Sequence, residues 1–209
     1  AARQAGKTVR AVYIGGGTPT TLEADQLARL LERVGTAFAL APGTECTVEA
    51  GRPDTITREK LLAIRAGGGN RISVNPQTMS DTVLAAIGRS HRAADIRRAY
   101  ALAREVGGLA INMDLIAGLP GDTPQGFRQT LEEVMALAPE NLTVHTLALK
   151  KGARLRQEDT PLPTGDQVAA MLDDAWAALE AGGYAPYYLY RQKYMSGSFE
   201  NVGWCISGA

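Results

Sequence analysis

Ala11-Val12-Tyr13-Ile14-Gly15-Gly16-Gly17-Thr18-Pro19-Thr20-Thr21 is the stretch on which the fold turns. It reads as a buried strand broken by three glycines, with a helix starting after Thr18-Pro19-Thr20. Glycine carries no Cβ, so a ligand can come close to the backbone at this bend. The carboxyl end of a strand is also where α/β sheets, open or closed, bind their ligands. Later strands are expected to bring further residues to that same end.

They do so in rhythm. A strand is expected over Thr8 to Ile14, then Thr20-x-x-Glu23 as a capping box. The helix it opens has Leu27, Leu30, Leu31, Val34 and Phe38 on its apolar face at the 3.6-residue period. Thr44 to Ala50 reads as a second strand with Glu49 near its end. Thr57 caps a helix that stops at Gly67-Gly68-Gly69. Arg71 to Val74 is a third strand, followed by Asn75-Pro76-Gln77. Two helical pieces flank Gly88-Arg89-Ser90-His91. Leu109 to Ile116 is a fourth strand with Asp114 inside it, and Thr123-Pro124 opens the next helix with proline at its first position. Leu142 to Leu149 is the fifth strand. Alternating strands and helices mean βαβ crossovers and a parallel sheet. Past Lys150 the style changes. Thr164-x-x-Gln167 caps one more amphipathic helix, and an aromatic run from Tyr184 to Tyr194 reads as strand. The expected domains are therefore a core over 1–150 and the start of a C-terminal, substrate-side extension over 151–209.

The bulk numbers bound the function. The 209 residues carry 22 basic and 22 acidic side chains. No basic excess calls for nucleic acid or an anionic membrane surface. No apolar run reaches the length of a membrane span, and no signal-like leader opens the sequence. Two cysteines, Cys46 and Cys205, do not make a disulfide framework, so a reducing cytoplasm is the expected location. The glycines lack the spacing of a dinucleotide fingerprint and no Walker lysine follows them. Two histidines without nearby cysteines make a poor metal site, and there is no nucleophile elbow. What remains is Gly15 to Gly17, Glu49, Gln77, Asp114 and the pair His145-Thr146 on strands or at their ends. A carboxylate inside the apolar run Asn112-Met113-Asp114-Leu115-Ile116-Ala117 is costly unless it is paired or binds something. Two carboxylates and an amide suit a ligand rich in hydroxyl and ammonium donors, such as a nucleoside with a cationic substituent.

As a set, Gly15-Gly-Gly-Thr-Pro-Thr20, Val48-Glu49, Arg71-Ile-Ser-Val-Asn-Pro-Gln77, Ile87-Gly-Arg-Ser-His91 and Asn112-Met-Asp-Leu-Ile-Ala-Gly-Leu-Pro-Gly121 resemble the radical S-adenosylmethionine enzymes of the oxygen-independent coproporphyrinogen III oxidase group. The tail, Tyr187-Tyr-Leu-Tyr-Arg-Gln-Lys-Tyr-Met-Ser-Gly197 with Glu200-Asn-Val-Gly203, resembles its coproporphyrinogen dehydrogenase branch of the HemZ type. The resemblance implies an α/β fold, a partial (β/α)6 TIM-like radical SAM barrel. Against that pattern the sequence is missing the first strand and the cluster loop, and it adds a small C-terminal α+β extension.

The resemblance also implies a site. Gly15, Gly16, Gly17 and Thr18 would receive the methionine ammonium of S-adenosyl-L-methionine. Glu49, Gln77, Arg89 and Asp114 would line the same cofactor, with His145 and Leu147 toward its adenine. A reduced [4Fe-4S] cluster would cleave the sulfonium to a 5′-deoxyadenosyl radical, with electrons from an electron donor. That radical would oxidise propionates of a tetrapyrrole, coproporphyrinogen III, to vinyls, giving protoporphyrinogen IX. Arg191 and Lys193, alternating with aromatics, are candidates for the substrate's carboxylates. One departure is severe. The family's Cys-x3-Cys-x2-Cys cluster ligands do not occur here. The expectation is that they lie upstream of Ala1, and that this polypeptide as given is inert. Two other readings stay open: a haem chaperone built on the same barrel, and a radical enzyme with another substrate. The chaperones' His-Asn pair is here Glu200-Asn201, which counts against the first.

Overall fold

The computed structural model describes residues 6–148, 161–191 and 199–206. In chain order the elements are β1 (Ala11–Ile14), α1 (Ala24–Phe38), β2 (Glu45–Glu49), α2 (Arg58–Ala66), β3 (Arg71–Gln77), α3 (Asp81–Ala86) and α4 (Ala93–Val106). They continue with β4 (Ala110–Ala117), α5 (Pro124–Ala136), β5 (Asn141–Thr146), α6 (Gly165–Ala181), β6 (Tyr184–Tyr190) and β7 (Asn201–Ile206). The chain divides into two compact units, Ala1–Asn75 with Asp95–Ile111, and Pro76–Ala94 with Asn112–Ala209.

In the first unit β1, β2 and β3 run parallel, with Ile14 opposite Val48 and Glu49 opposite Ser73. Parallel pairing forces crossovers, and α1 and α2 supply them. Leu27 and Leu31 of α1 and Leu61 and Ile64 of α2 are fully buried, as are Val48 and Ile72 of the strands. Burial of each such side chain stabilises by about 1.5–3 kcal/mol. Gly67, which caps α2, is glycine because a Cβ there would lie 2.6 Å from the Leu31 side chain.

Three expectations are corrected here. β1 is not a buried strand: its residues are exposed or half-buried, and Tyr13 is 64% exposed. It pairs with β2 on one side, so half its backbone and one face are left outward. Thr20 does not cap α1. It is buried in a short 3-10 turn, Pro19–Thr21, and its hydroxyl bonds that of Thr55 at 2.6 Å. Glu23 caps α1 instead, in a reciprocal box with Gln26. Phe38, expected on the apolar face, is 50% exposed because the helix ends there and the next residue, Ala39, turns left-handed.

In the second unit β4 and β5 are parallel, and β7 then β6 continue antiparallel, with a bulge between Pro186 and Tyr188. Thr123 and Thr164 cap α5 and α6 as the sequence predicts, each side chain accepting an amide N–H of the first turn. Phe127, Leu131 and Val134 of α5 and Val168, Met171 and Leu179 of α6 are buried. Trp176 of α6 meets Trp204 of β7 edge to face at 4.7 Å. Strand bounds shift from expectation by a few residues. β3 runs on through Pro76 to Gln77, and β5 ends at Thr146. Of the aromatic run, 192–194 lies outside the described residues. Among the described residues no helix is long and apolar enough to cross a membrane.

Candidate functional site

The first unit assembles one cluster. The three glycines are required for two different reasons. A Cβ on Gly15 would stand 2.4 Å from the Tyr13 ring and 2.8 Å from Glu49 Oε2, so the side chain is excluded by close approach. Gly16 and Gly17 take φ of +88° and +80° with open space around them, so it is the backbone turn that excludes other residues. The turn is closed by Thr18, whose carbonyl accepts from the Thr21 N–H at 2.9 Å and the Thr21 hydroxyl at 2.7 Å. Nothing lies within 4 Å of where a Cβ would stand on Gly16 or Gly17, and the Gly16 N–H donates to Glu49 Oε2 at 3.4 Å. Glu49 closes β2, half-buried. An open main-chain turn beside a carboxylate suits the ammonium of an α-amino acid, with Glu49 as its counter-charge.

The second unit assembles two more groups. Gln77 ends β3 with φ +66°, a left-handed backbone rarely adopted by a non-glycine residue. Its Oε1 accepts from Arg89 Nε at 2.9 Å, across the short helix α3. Ser80 caps α3, and Asp81 accepts from the Ala93 N–H at 2.8 Å, fixing the loop that carries Arg89. The other group sits on β4 and β5. Asp114 Oδ1 accepts from Asn112 Nδ2 at 2.6 Å, and Oδ2 lies 3.7 Å from His145 Nε2. Thr143, opposite Asp114, donates to Asn112 Oδ1 at 3.2 Å. Leu147 lies just past β5, its N–H bonded to the Ala117 carbonyl at 3.0 Å.

The structure thus brings together the glycines with Glu49, Gln77 with Arg89, and Asp114 with His145. Arg191 is exposed and pairs with Glu200 at 2.7 Å. Lys193 lies outside the described residues. Sequence reasoning missed Asn112, which bonds Asp114, and Thr143, which bonds Asn112. The period-2 alternation of a strand was the available signal, since Asn112 and Asp114 share a face.

The sequence profile of the Radical SAM superfamily matches residues 1–134. The chain belongs to the radical SAM superfamily. Its relatives include the oxygen-independent coproporphyrinogen-III oxidase-like protein HemZ of Bacillus subtilis, 43% identical over 96% of this chain and 40% of that protein. The heme chaperone HemW of the same organism is 32% identical over 86% of the chain and 48% of its own length. Coproporphyrinogen III oxidase HemN from Escherichia coli, a radical SAM enzyme, superposes with a TM-score of 0.81 at 28% identity, over 98% of this chain and 45% of that one. The chain therefore spans between two fifths and half of these relatives. The match shows the radical SAM fold, a partial TIM-like α/β barrel, as the sequence predicts.

The family works with S-adenosylmethionine and a [4Fe-4S] cluster. For the first, the residues fit: an uncovered glycine turn beside a carboxylate, and a paired aspartate and histidine on the strands. For the second, they do not. Among the described residues no group of three His, Cys, Asp or Glu side chains could hold a metal. Cys46 is buried, and burial pushes its thiol pKa up, away from the thiolate that iron needs.

Proposed function

We propose that this chain is the S-adenosylmethionine-holding part of a radical enzyme of haem metabolism, one that oxidatively decarboxylates coproporphyrinogen III propionates to vinyls, giving protoporphyrinogen IX. The observation that carries this reading is the 43% identity to HemZ over 96% of the chain, which takes in every candidate site residue. Bound there, S-adenosylmethionine would supply radical chemistry for hydrogen-atom abstraction. The part of this chain's own residues is to bind and orient. The Gly15–Thr18 turn receives the methionine ammonium, with the Glu49 carboxylate beside it. Asp114, fixed from behind by Asn112, accepts from ribose hydroxyls, and His145 and Leu147 flank the adenine. Arg89 holds the Gln77 side chain, and both are assigned to the same cofactor. Arg191 and Lys193 meet substrate carboxylates, Arg191 by exchanging Glu200 for them. An electron donor is the remaining partner, and a cytoplasmic location suits one.

The HemW relatives favour a second reading, a haem chaperone. Isothermal titration of the chain with S-adenosylmethionine tests the cofactor site, and a Glu49→Gln, Asp114→Asn double variant is expected to abolish the heat. Placing this chain behind a Cys-x3-Cys-x2-Cys segment separates the two readings. Vinyl products from coproporphyrinogen III support the decarboxylase. A stable haem complex with a shifted Soret band, and no vinyl product, supports the chaperone.

A further inference from the structure

β6 and β7 lie beyond residues 1–134, the part matched by the family profile, yet they reach the Asp114 group. Register shows how. Asp114 of β4 is opposite Thr143 of β5, Thr143 is opposite Gly203 of β7, and Gly203 is opposite Tyr188 of β6. Residues opposite one another in a sheet share a face, so Asp114, Thr143 and Tyr188 project to the same side. Gly203 stands between them without a side chain. A Cβ there would fall 2.0 Å from Tyr188 Cε1, so the tyrosine ring lies flat across β7 in the space the glycine leaves. The ring thereby extends across β7 toward Thr143 of β5, which is opposite Gly203.

The directions of these bonds follow from counting protons. Thr143 has one hydroxyl proton, and it goes to Asn112 Oδ1. A bond between the Tyr188 hydroxyl and Thr143 then runs from the phenol to Thr143 Oγ1. Asn112 donates in turn from Nδ2 to Asp114 Oδ1. Three donors point one way, Tyr188 to Thr143 to Asn112 to the carboxylate, and such aligned chains strengthen one another. Burial, above all, pushes the Tyr188 phenol pKa up, so it stays protonated and able to donate at neutral pH. Tyr190 stacks on Tyr188 at 6.1 Å and 14°, and Tyr187 meets it edge to face at 4.9 Å, holding the ring in place.

We infer that Tyr188 is a positioning residue for Asp114: its hydroxyl, through Thr143 and Asn112, turns the carboxylate so that Oδ2 faces His145 and the ligand side. The β6–β7 hairpin is thus part of the binding site through Gly203 and one phenol. The geometry stands on the second unit alone, while its consequence for ligand affinity rests on the function proposed above.

The chain has two histidines, His91 and His145, so imidazole ¹⁵N–¹H correlation spectra of the unliganded protein give two sets of signals. Tyr188→Phe keeps the ring over Gly203 and removes only the hydroxyl. It is expected to move the His145 signals and leave those of His91 in place. In a Thr143→Val background, where the relay is already cut, Tyr188→Phe is expected to move His145 no further. Unmoved His145 signals in Tyr188→Phe, equal movement of both histidines, or the same movement in both backgrounds would each overturn the inference. In the ligand arm, Tyr188→Phe is expected to weaken S-adenosylmethionine binding about fivefold, the effect of losing roughly one net hydrogen bond. If the wild-type chain binds none, the cofactor reading fails, while the histidine signals still decide the role of Tyr188.

Discussion

A glycine can be irreplaceable for its backbone or for its missing side chain, and the two cases predict different outcomes. Gly17, at φ +80° in open space, is held by conformation. Gly17→Ala is expected to lower unfolding stability by about 1–2 kcal/mol in a denaturant titration. Gly35, inside α1 with nothing near its Cβ position, is the contrast. Gly35→Ala is expected to raise stability by about 0.5–1 kcal/mol. Asp122 supplies a pH test. It is buried, Oδ1 accepts from the Thr123 N–H at 2.8 Å, and Oδ2 is buried without a hydrogen-bond partner. Burial raises its pKa in the folded state. The folded protein therefore holds this proton more tightly than the unfolded chain does, so the group's contribution to stability is complete below its unfolded pKa and lost as pH rises through the folded one. Asp122→Asn is expected to be more stable than wild type at neutral pH, with the difference shrinking as pH falls through the raised value. Denaturant midpoints across that range read it directly.

At the scale of the element, β6–β7 and α5 show opposite degrees of legibility. Thr123-Pro124 announced α5 by local chemistry alone: a hydroxyl acceptor for the orphan amides, then a residue that has none to satisfy. Thr123→Ala is expected to cost about 1 kcal/mol and Phe127→Ala about 3–5 kcal/mol, both measured by thermal unfolding. β6 was legible as an aromatic strand, but its partner was not. The short glycine-punctuated stretch of β7 gives no periodic signal, and its pairing with β5 and β6 is set by contacts distant in the chain. Gly203→Val, which forces a side chain into the Tyr188 ring, is expected to lose the β6–β7 pairing, seen as faster amide exchange over both strands.

For the molecule as a whole, the chemistry of the cofactor divides in two. The chain holds the groups suited to S-adenosylmethionine and lacks three thiolates in one place. Anaerobic reconstitution of this chain with iron and sulfide is expected to give no [4Fe-4S] absorption or electron paramagnetic resonance signal. S-adenosylmethionine at a hundredfold excess over its dissociation constant is expected to stabilise the same sample by about 2.7 kcal/mol, because it binds the folded state alone.

Much of this was written in local order along the chain. Strand–helix alternation, the glycine bend, the Thr57, Thr123 and Thr164 caps, and the isolated Asp114 are each set by a few neighbouring residues, and the family motifs are runs of the same kind. What local order does not carry is pairing across the chain. The exposed edge position of β1, the removal of Thr20 from its cap into a bond with Thr55, the left-handed Gln77 held by Arg89, and the row from Asp114 to Tyr188 all depend on which strand lies beside which. Register is fixed by long-range burial and hydrogen bonding. A glycine at 203 means something only once Tyr188 and Thr143 stand on either side of it.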